Sequence, residues 1–226
     1  MPATASPTTS SVLTARGLLL DMDGTLVNSD ASVERVWRGW AVDHGLDPDE
    51  VMKVVHGRQG YATMAVLLPE RPMELNYADN RVMLARETAD TEGVVPVPGA
   101  PAFMAAIAAL PHALVTSADV ALADARMAAA DLPMPKIRVT AESVTASKPH
   151  PEGFLKGAEA LGLAPADCVA FEDSEAGITA ARAAGMRVVG VGPRAKAMSP
   201  DAHVEDLTQI RVEPTAEGGI RLYVTA

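Results

Sequence analysis

The chain has a single cysteine, Cys168, in 226 residues. No internal disulfide can form, so the core alone must hold the fold, and a reducing, cytoplasmic setting is expected. Aromatic residues make up only 4%, which leaves the packing to Ala, Val, Leu and Met. Cations are outnumbered as well: 19 Lys and Arg face 29 Asp and Glu, a net charge of -10. That balance argues against nucleic acid, whose phosphates demand a basic face, and against an anionic membrane surface. No apolar run approaches the length of a membrane span. A small anionic substrate survives these exclusions, provided local cations offset the field. A monomer is the default expectation.

What remains is ample for a core. Nearly half the residues are apolar (48%), and the length suits one large domain or a core with a small accessory domain. Residues 1–14 are rich in Ser, Thr, Pro and Ala and lack the charged start and apolar centre of a secretory signal. They are expected to be a disordered tail. Beyond them, short apolar runs alternate with helical stretches. Strands are expected at Arg16–Asp21, His112–Thr116, Lys136–Thr140, Asp167–Glu172 and Arg187–Val191. Helices are expected at Ala100–Leu110, Asp119–Asp131, Pro151–Leu163 and Ser174–Ala184. Such alternation predicts an α/β fold, a Rossmann-like parallel-sheet core with helices on both faces. Cys168 lies in an apolar strand and reads as a small buried hydrophobe.

Residues 31–92 break the rhythm. They contain no convincing strand and read as helices over Ser32–His44, Asp47–Val55, Gly60–Leu68 and Met73–Thr91. They are expected to form an inserted all-α cap between core segments 15–30 and 93–226. Val27–Ala31 and Glu92–Gly99 are the candidate hinges. Thr208–Glu213 and Gly219–Val224 flank a Gly-Gly turn region and predict a terminal β-hairpin.

Chemistry gathers at the strand ends. Gly17-Leu18-Leu19-Leu20 runs straight into Asp21-Met22-Asp23-Gly24-Thr25. Residues two apart on a strand face the same side, so Asp21 and Asp23 converge. Two carboxylates at the mouth of a core need a cation between them or a shared proton. Thr116-Ser117 ends the next strand, Ser147-Lys148-Pro149 follows another, and Glu172-Asp173-Ser174 ends a fourth. Together they are an inventory for one divalent cation and one phosphoryl group. Mg²⁺ prefers carboxylate and other oxygen ligands, which Asp21, Asp173 and Glu172 can supply, with the backbone carbonyl of Asp23 beside them. Thr116, Ser117 and the helix start after them offer donors to phosphate oxygens, and Lys148 neutralises charge. Asp21 can attack phosphorus to give an aspartyl-phosphate. Asp23 can protonate the leaving oxygen and then take a proton from water.

This set resembles the phosphatase branch of the haloacid dehalogenase superfamily. The resemblance rests on Asp-Met-Asp-Gly-Thr at 21–25, Val-Thr-Ser at 115–117, Ser-Lys-Pro-His-Pro-Glu at 147–152 and Phe-Glu-Asp-Ser-Glu-Ala-Gly at 171–177. It implies a Rossmann-like core with a mobile cap of the first type. It also implies roles: Asp21 the nucleophile, Asp23 the acid/base, Thr116 and Ser117 phosphate binders, Lys148 the charge clamp and Asp173 a metal ligand. Glu172 stays open between a metal ligand and a support behind the ligands. In the cap, Val36-Trp37-Arg38-Gly39-Trp40, His44-Gly45-Leu46 and His56-Gly57-Arg58 look like bacterial sugar phosphatases and the fungal glycerol and 2-deoxyglucose-6-phosphate phosphatases.

Arg58, on a short loop after Gly57, is the leading cap residue for substrate contact, with a surface ion pair as its alternative. His56 is open between a substrate hydrogen bond and loop support. Trp37 and Trp40 share a helix face and read as cap core, although one could wall the pocket. Asn28 stands where the family often has Asp, which puts hinge hydrogen bonds in question.

The resulting expectation is Mg²⁺-dependent hydrolysis of small sugar or polyol phosphates. A β-phosphoglucomutase-like isomerase is the alternative. It is disfavoured because those enzymes place His twelve residues after the nucleophile, where this chain has Val33. They also commonly have Val where it has Thr25. A non-catalytic phosphosugar-binding domain ranks lower still.

Overall fold

Gly17–Leu20 (β2) is buried along its whole length, which is why it reads as an unbroken apolar run rather than an alternating one. The computed structural model describes residues 10–225. In it, β2 lies inside a six-stranded parallel sheet. Its neighbours are His112–Val115 (β5) on one side and Cys168–Glu172 (β7) on the other. Arg138–Val139 (β6) lies beyond β5. Arg187–Val191 (β8) and Ala202–Val204 (β9) lie beyond β7, giving the order β6-β5-β2-β7-β8-β9. Strand order reverses at β2, and ligands of such sheets bind outside the carboxyl ends at that reversal. Asp21 directly follows β2.

Helices Ala100–Ile107 (α5), Val120–Ala129 (α6), Glu152–Ala160 (α7) and Glu175–Ala183 (α8) match the expected positions, each slightly shorter. Two apolar clusters cover the two faces of the sheet. Leu18, Leu20, Phe103 and Phe171 belong to one; Leu19, Phe154, Ile178 and Cys168 belong to the other. Cys168 is fully buried, as its setting predicts. The short helix Gly192–Lys196 (α9) and edge strand β9 were not expected from the sequence.

The cap comprises Asp30–Asp43 (α1), Pro48–Met52 (α2), Gly60–Leu67 (α3) and Met73–Ala89 (α4). Asp47 caps α2 by accepting from the Asp49 N–H, with Pro48 at the first helical position. The cap has its own core, including Trp37, Trp40, Val51, Met64 and Met83. Trp37 and Trp40 meet edge to face at 5.5 Å. Two antiparallel segments, Val27–Asn28 (β3) and Val95–Pro96 (β4), join cap to core where hinges were expected. Asn28 Oδ1 accepts from the Asp30 N–H at 3.1 Å and starts α1.

The expected tail needs correction. Residues 1–9 lie outside the described residues, but Ser10–Ala15 is a strand (β1). It pairs antiparallel with Ile220–Thr225 (β11), which also pairs with Ile210–Pro214 (β10). The terminal hairpin therefore gains a third strand. Ser and Thr made residues 10–14 look unstructured; a partner some two hundred residues away supplies their ladder. Ile220, Leu222 and Val224 on β11 turn inward onto the core. Among the described residues no helix is long and apolar enough to cross a membrane.

Candidate active site

The four expected motifs meet at the carboxyl edge of the sheet. Lys148 Nζ is buried and donates to Asp21 Oδ1 at 2.7 Å, Glu172 Oε1 at 2.6 Å and the Val115 carbonyl at 3.1 Å. Its three protons are thus shared among three strand ends. Burial opposes the ammonium charge, but Asp21 and Glu172 outweigh it and raise the lysine pKa. Carboxylate oxygens of Asp21, Glu172 and Asp173 lie within 4.8 Å of one another. Burial first, and Glu172 next, push Asp21 well above the usual carboxylate range despite Lys148. The same two causes lift Asp173 to about 7, opposed by Arg194.

Glu172 is already well used. Its Oε2 accepts from the N–H groups of Asp173 (3.0 Å) and Ser174 (3.1 Å) and from Ser174 Oγ (3.0 Å). It folds the turn that presents Asp173. Asp173 Oδ2 accepts from Arg194 Nη2 at 2.7 Å, whereas Oδ1 is buried without a hydrogen-bond partner. An orphaned carboxylate oxygen in a crowd of acids fits a divalent cation. Gly24 belongs to the same cradle. It adopts φ +85°, and a Cβ there would overlap Asp173 Oδ2.

A cavity of about 80 Å³ opens from these strand ends into the cap. Asp21, Asp23, Thr116 and Ser117 line it from the core; Val33, Trp37, His56, Gly57, Arg58, Asn80 and Glu87 line it from the cap. Thr116 is buried, its Oγ1 accepting from the Ala118 N–H at 3.0 Å. Ser117 Oγ donates to the Gly57 carbonyl at 2.9 Å, so in this arrangement its hydroxyl serves the cap loop. Gln59 N–H donates to Ser147 Oγ at 2.8 Å across the same seam. Gly57 has φ +84°, and a Cβ would overlap Ser174 Oγ, so only glycine lets this loop sit so close to the core. The cap is closed.

Two cap residues differ in charge. Arg58 has no hydrogen-bond or ion-pair partner among the described residues, and it lines the cavity. Burial, then Arg194, hold His56 down at about 4, against the opposing pull of Asp30 and Asp23. His56 is therefore neutral at neutral pH and can exchange hydrogen bonds as an imidazole. His150 is exposed and accepts from the Glu152 N–H at the start of α7, a helix-start role.

Residues 15–185 match the profile of the haloacid dehalogenase-like hydrolases. The chain belongs to that family. Among its relatives is hexitol phosphatase A of Escherichia coli strain K12, 39% identical over 91% of this chain and 97% of the other. Glycerol-1-phosphate phosphohydrolase 1 of Saccharomyces cerevisiae is 32% identical over 84% of this chain and 79% of its own. In fold, a hydrolase of Pseudomonas syringae superposes with a TM-score of 0.77 at 21% identity, covering 85% of this chain and 94% of that one.

In this haloacid dehalogenase-like hydrolase, sequence reading missed a second set of charges. Arg126 on α6 is buried and pairs with Asp23 Oδ1 at 2.9 Å and with Glu87 Oε2 of α4 at 2.5 Å. Ser29 Oγ donates to Asp23 Oδ1 at 2.7 Å. Arg194 on α9 joins Asp173 to Asp30 at the start of α1, the latter at 3.1 Å. Nothing local marks Arg126, which sits in an Ala-rich helix with its cap partner 39 positions away.

Proposed function

We propose that the chain hydrolyses phosphate monoesters of small sugars or polyols, with Mg²⁺ as cofactor. The observation that carries this reading is Lys148 holding the Asp21 carboxylate at 2.7 Å at the reversal point of the sheet, beside the unpartnered Asp173 Oδ1. The relatives' named activities support the substrate class. Asp21, Asp173 and the Asp23 backbone carbonyl would hold the cation, with Glu172 fixing Lys148 and the Asp173 turn behind them. Bound there, Mg²⁺ supplies positive charge to the phosphate oxygens and relieves the repulsion among the carboxylates.

The chain's own residues carry the steps. Lys148 fixes the rotation of Asp21, whose carboxylate oxygen attacks phosphorus as the P–O bond to the alcohol breaks. Asp23 gives its proton to the departing alkoxide. It then takes a proton from water, whose oxygen attacks the aspartyl-phosphate and releases inorganic phosphate. Thr116, and Ser117 when the cap loop lifts, offer donors to phosphate oxygens. Arg58 adds charge from the cap. The cavity admits substrate when the cap opens and excludes bulk water when it closes. Val33 lines the cavity and brings no proton-transfer group there, which favours hydrolysis over a mutase reaction.

Asp21→Asn decides the chemistry. Phosphate release from glycerol or hexitol phosphates should fall by roughly 10⁴-fold or more, with no aspartyl-phosphate trapped by acid quench. Substantial turnover by this variant would remove Asp21 as nucleophile.

A further inference from the structure

Asp23 Oδ1 accepts a hydrogen bond from Ser29 Oγ at 2.7 Å and forms an ion pair with Arg126 Nη1 at 2.9 Å. Oδ2 is left as the oxygen able to face a leaving group. Ser29 stands directly before α1, at the hinge, and Arg126 reaches in from the core. Arg126 is itself pinned. Its other terminal nitrogen bonds Glu87 Oε2 on the cap helix α4, and both side chains are nearly inaccessible, 4% and 8% exposed. Two buried charges from different lobes are held by one another and by Asp23. Removing Arg126 would leave Glu87 unpaired in a low-dielectric site, and removing Glu87 would leave Arg126 with Asp23 alone.

We propose that Arg126 and Glu87 are positioning residues that fix which oxygen of Asp23 delivers the proton, and that they do so only when the cap is closed. The inference rests on the reading of Asp23 as general acid. With the cap open, α4 withdraws Glu87, and Arg126 loses the bond that aims Nη1 at Oδ1. Asp23 can then rotate. Closure restores the fork between Glu87 and Asp23 and turns Oδ2 toward the alcohol oxygen. Protonation of the leaving group thus becomes conditional on a cap that has already excluded water. The alternative is a plain anchor that holds cap to core and has no bearing on the proton.

Leaving-group dependence separates the two. An aryl phosphate such as p-nitrophenyl phosphate departs without a proton, whereas glycerol phosphate needs one. The parameter kcat/KM covers the steps through alcohol release and so isolates this transfer from the later hydrolysis. Glu87→Gln and Arg126→Gln should lower kcat/KM on glycerol phosphate by roughly 10²-fold, at the low end of acid catalysis, and on the aryl phosphate by under about tenfold. Arg126→Lys, which keeps one donor, should recover part of the loss on glycerol phosphate alone. Equal losses on both substrates, or no loss on glycerol phosphate, would overturn the proposal in favour of an anchor. If Arg126→Gln does not fold, Glu87→Gln and Arg126→Lys carry the same comparison. Asp23→Asn is the reference. Should it show no selective loss on glycerol phosphate, the reading of Asp23 as general acid fails, independently of Arg126 and Glu87.

Discussion

The hydroxyl of Ser117 donates to the carbonyl of Gly57 at 2.9 Å, joining the loop after β5 to the cap loop across the mouth of the cavity. A side chain proposed to bind phosphate is thereby engaged with the cap loop. On that proposal, substrate phosphate and the Gly57 carbonyl would compete for one proton. Ser117→Ala should loosen the loop by about 1 kcal/mol, or about fivefold in its opening equilibrium. Hydrogen exchange at the Gln59 amide, which bonds Ser147 across the same seam, reads this directly. Unchanged exchange would mean the bond contributes nothing to closure.

Arg58 lines the cavity from the cap and has no ion-pair or hydrogen-bond partner among the described residues. Arg58→Ala should reduce kcat/KM on hexitol or glycerol phosphates by about 10- to 100-fold, the loss of a charge-assisted hydrogen bond. Activity on an aryl phosphate should change little. Equal activity on both would remove Arg58 from substrate recognition.

His56 gives a pH signature. Its folded pKa is lowered to about 4, from 6.5, by burial and then by Arg194. Between these values the unfolded chain binds the extra proton, so stability rises with pH across this window and falls on acidification. The slope from this residue is at most about 1.4 kcal/mol per pH unit. His56→Gln should flatten the chemical-denaturation midpoint between about pH 4 and about pH 6.5. An NMR titration of the His56 ring near its ordinary value would contradict the neutral assignment.

Metal binding should depend on pH with the opposite partner in mind. Burial and Glu172 raise Asp173 to about 7 in the absence of a cation. A ligating carboxylate must be ionised, so the proposed Mg²⁺ binding should release protons and tighten as pH rises through neutrality. Calorimetry in buffers of different ionisation heat should detect that release. Asp173→Asn should weaken Mg²⁺ binding and reduce the proton release, the remainder coming from Asp21, whose carboxyl burial also raises. Chelation should remove nearly all activity of the native chain, restored by added Mg²⁺.

Three of the core motifs were legible because each sits beside a strand whose burial forces an apolar run, and acids and hydroxyls interrupt those runs abruptly. Asp21, Thr116 and Asp173 carry that local contrast, whereas Lys148 lies on a loop well beyond Val139 and was read from its Ser-Lys-Pro setting. The cap helices were legible through periodicity and, at Asp47-Pro48, through capping chemistry. Strand β1 was not, because its apolar pair Val12-Leu13 is set among Ser10, Ser11 and Thr14 and its register comes from β11. Strand β9 and helix α9 are too short to show a period.

The sequence by itself determined five of the six strands of the parallel sheet, the helices of the insert and the identities of the groups at the strand ends, since burial and side-chain alternation act over a few residues. Only the tertiary structure decided how those groups are paired. Glu172 spends both oxygens on Lys148 and the Asp173 turn, Ser117 closes on Gly57, and Arg126 meets Asp23 and Glu87 together. All of these pairings except the Asp173 turn span lobes or strands distant in the chain. Electrostatics in a buried site depends on distance in space, which no spacing in the sequence encodes.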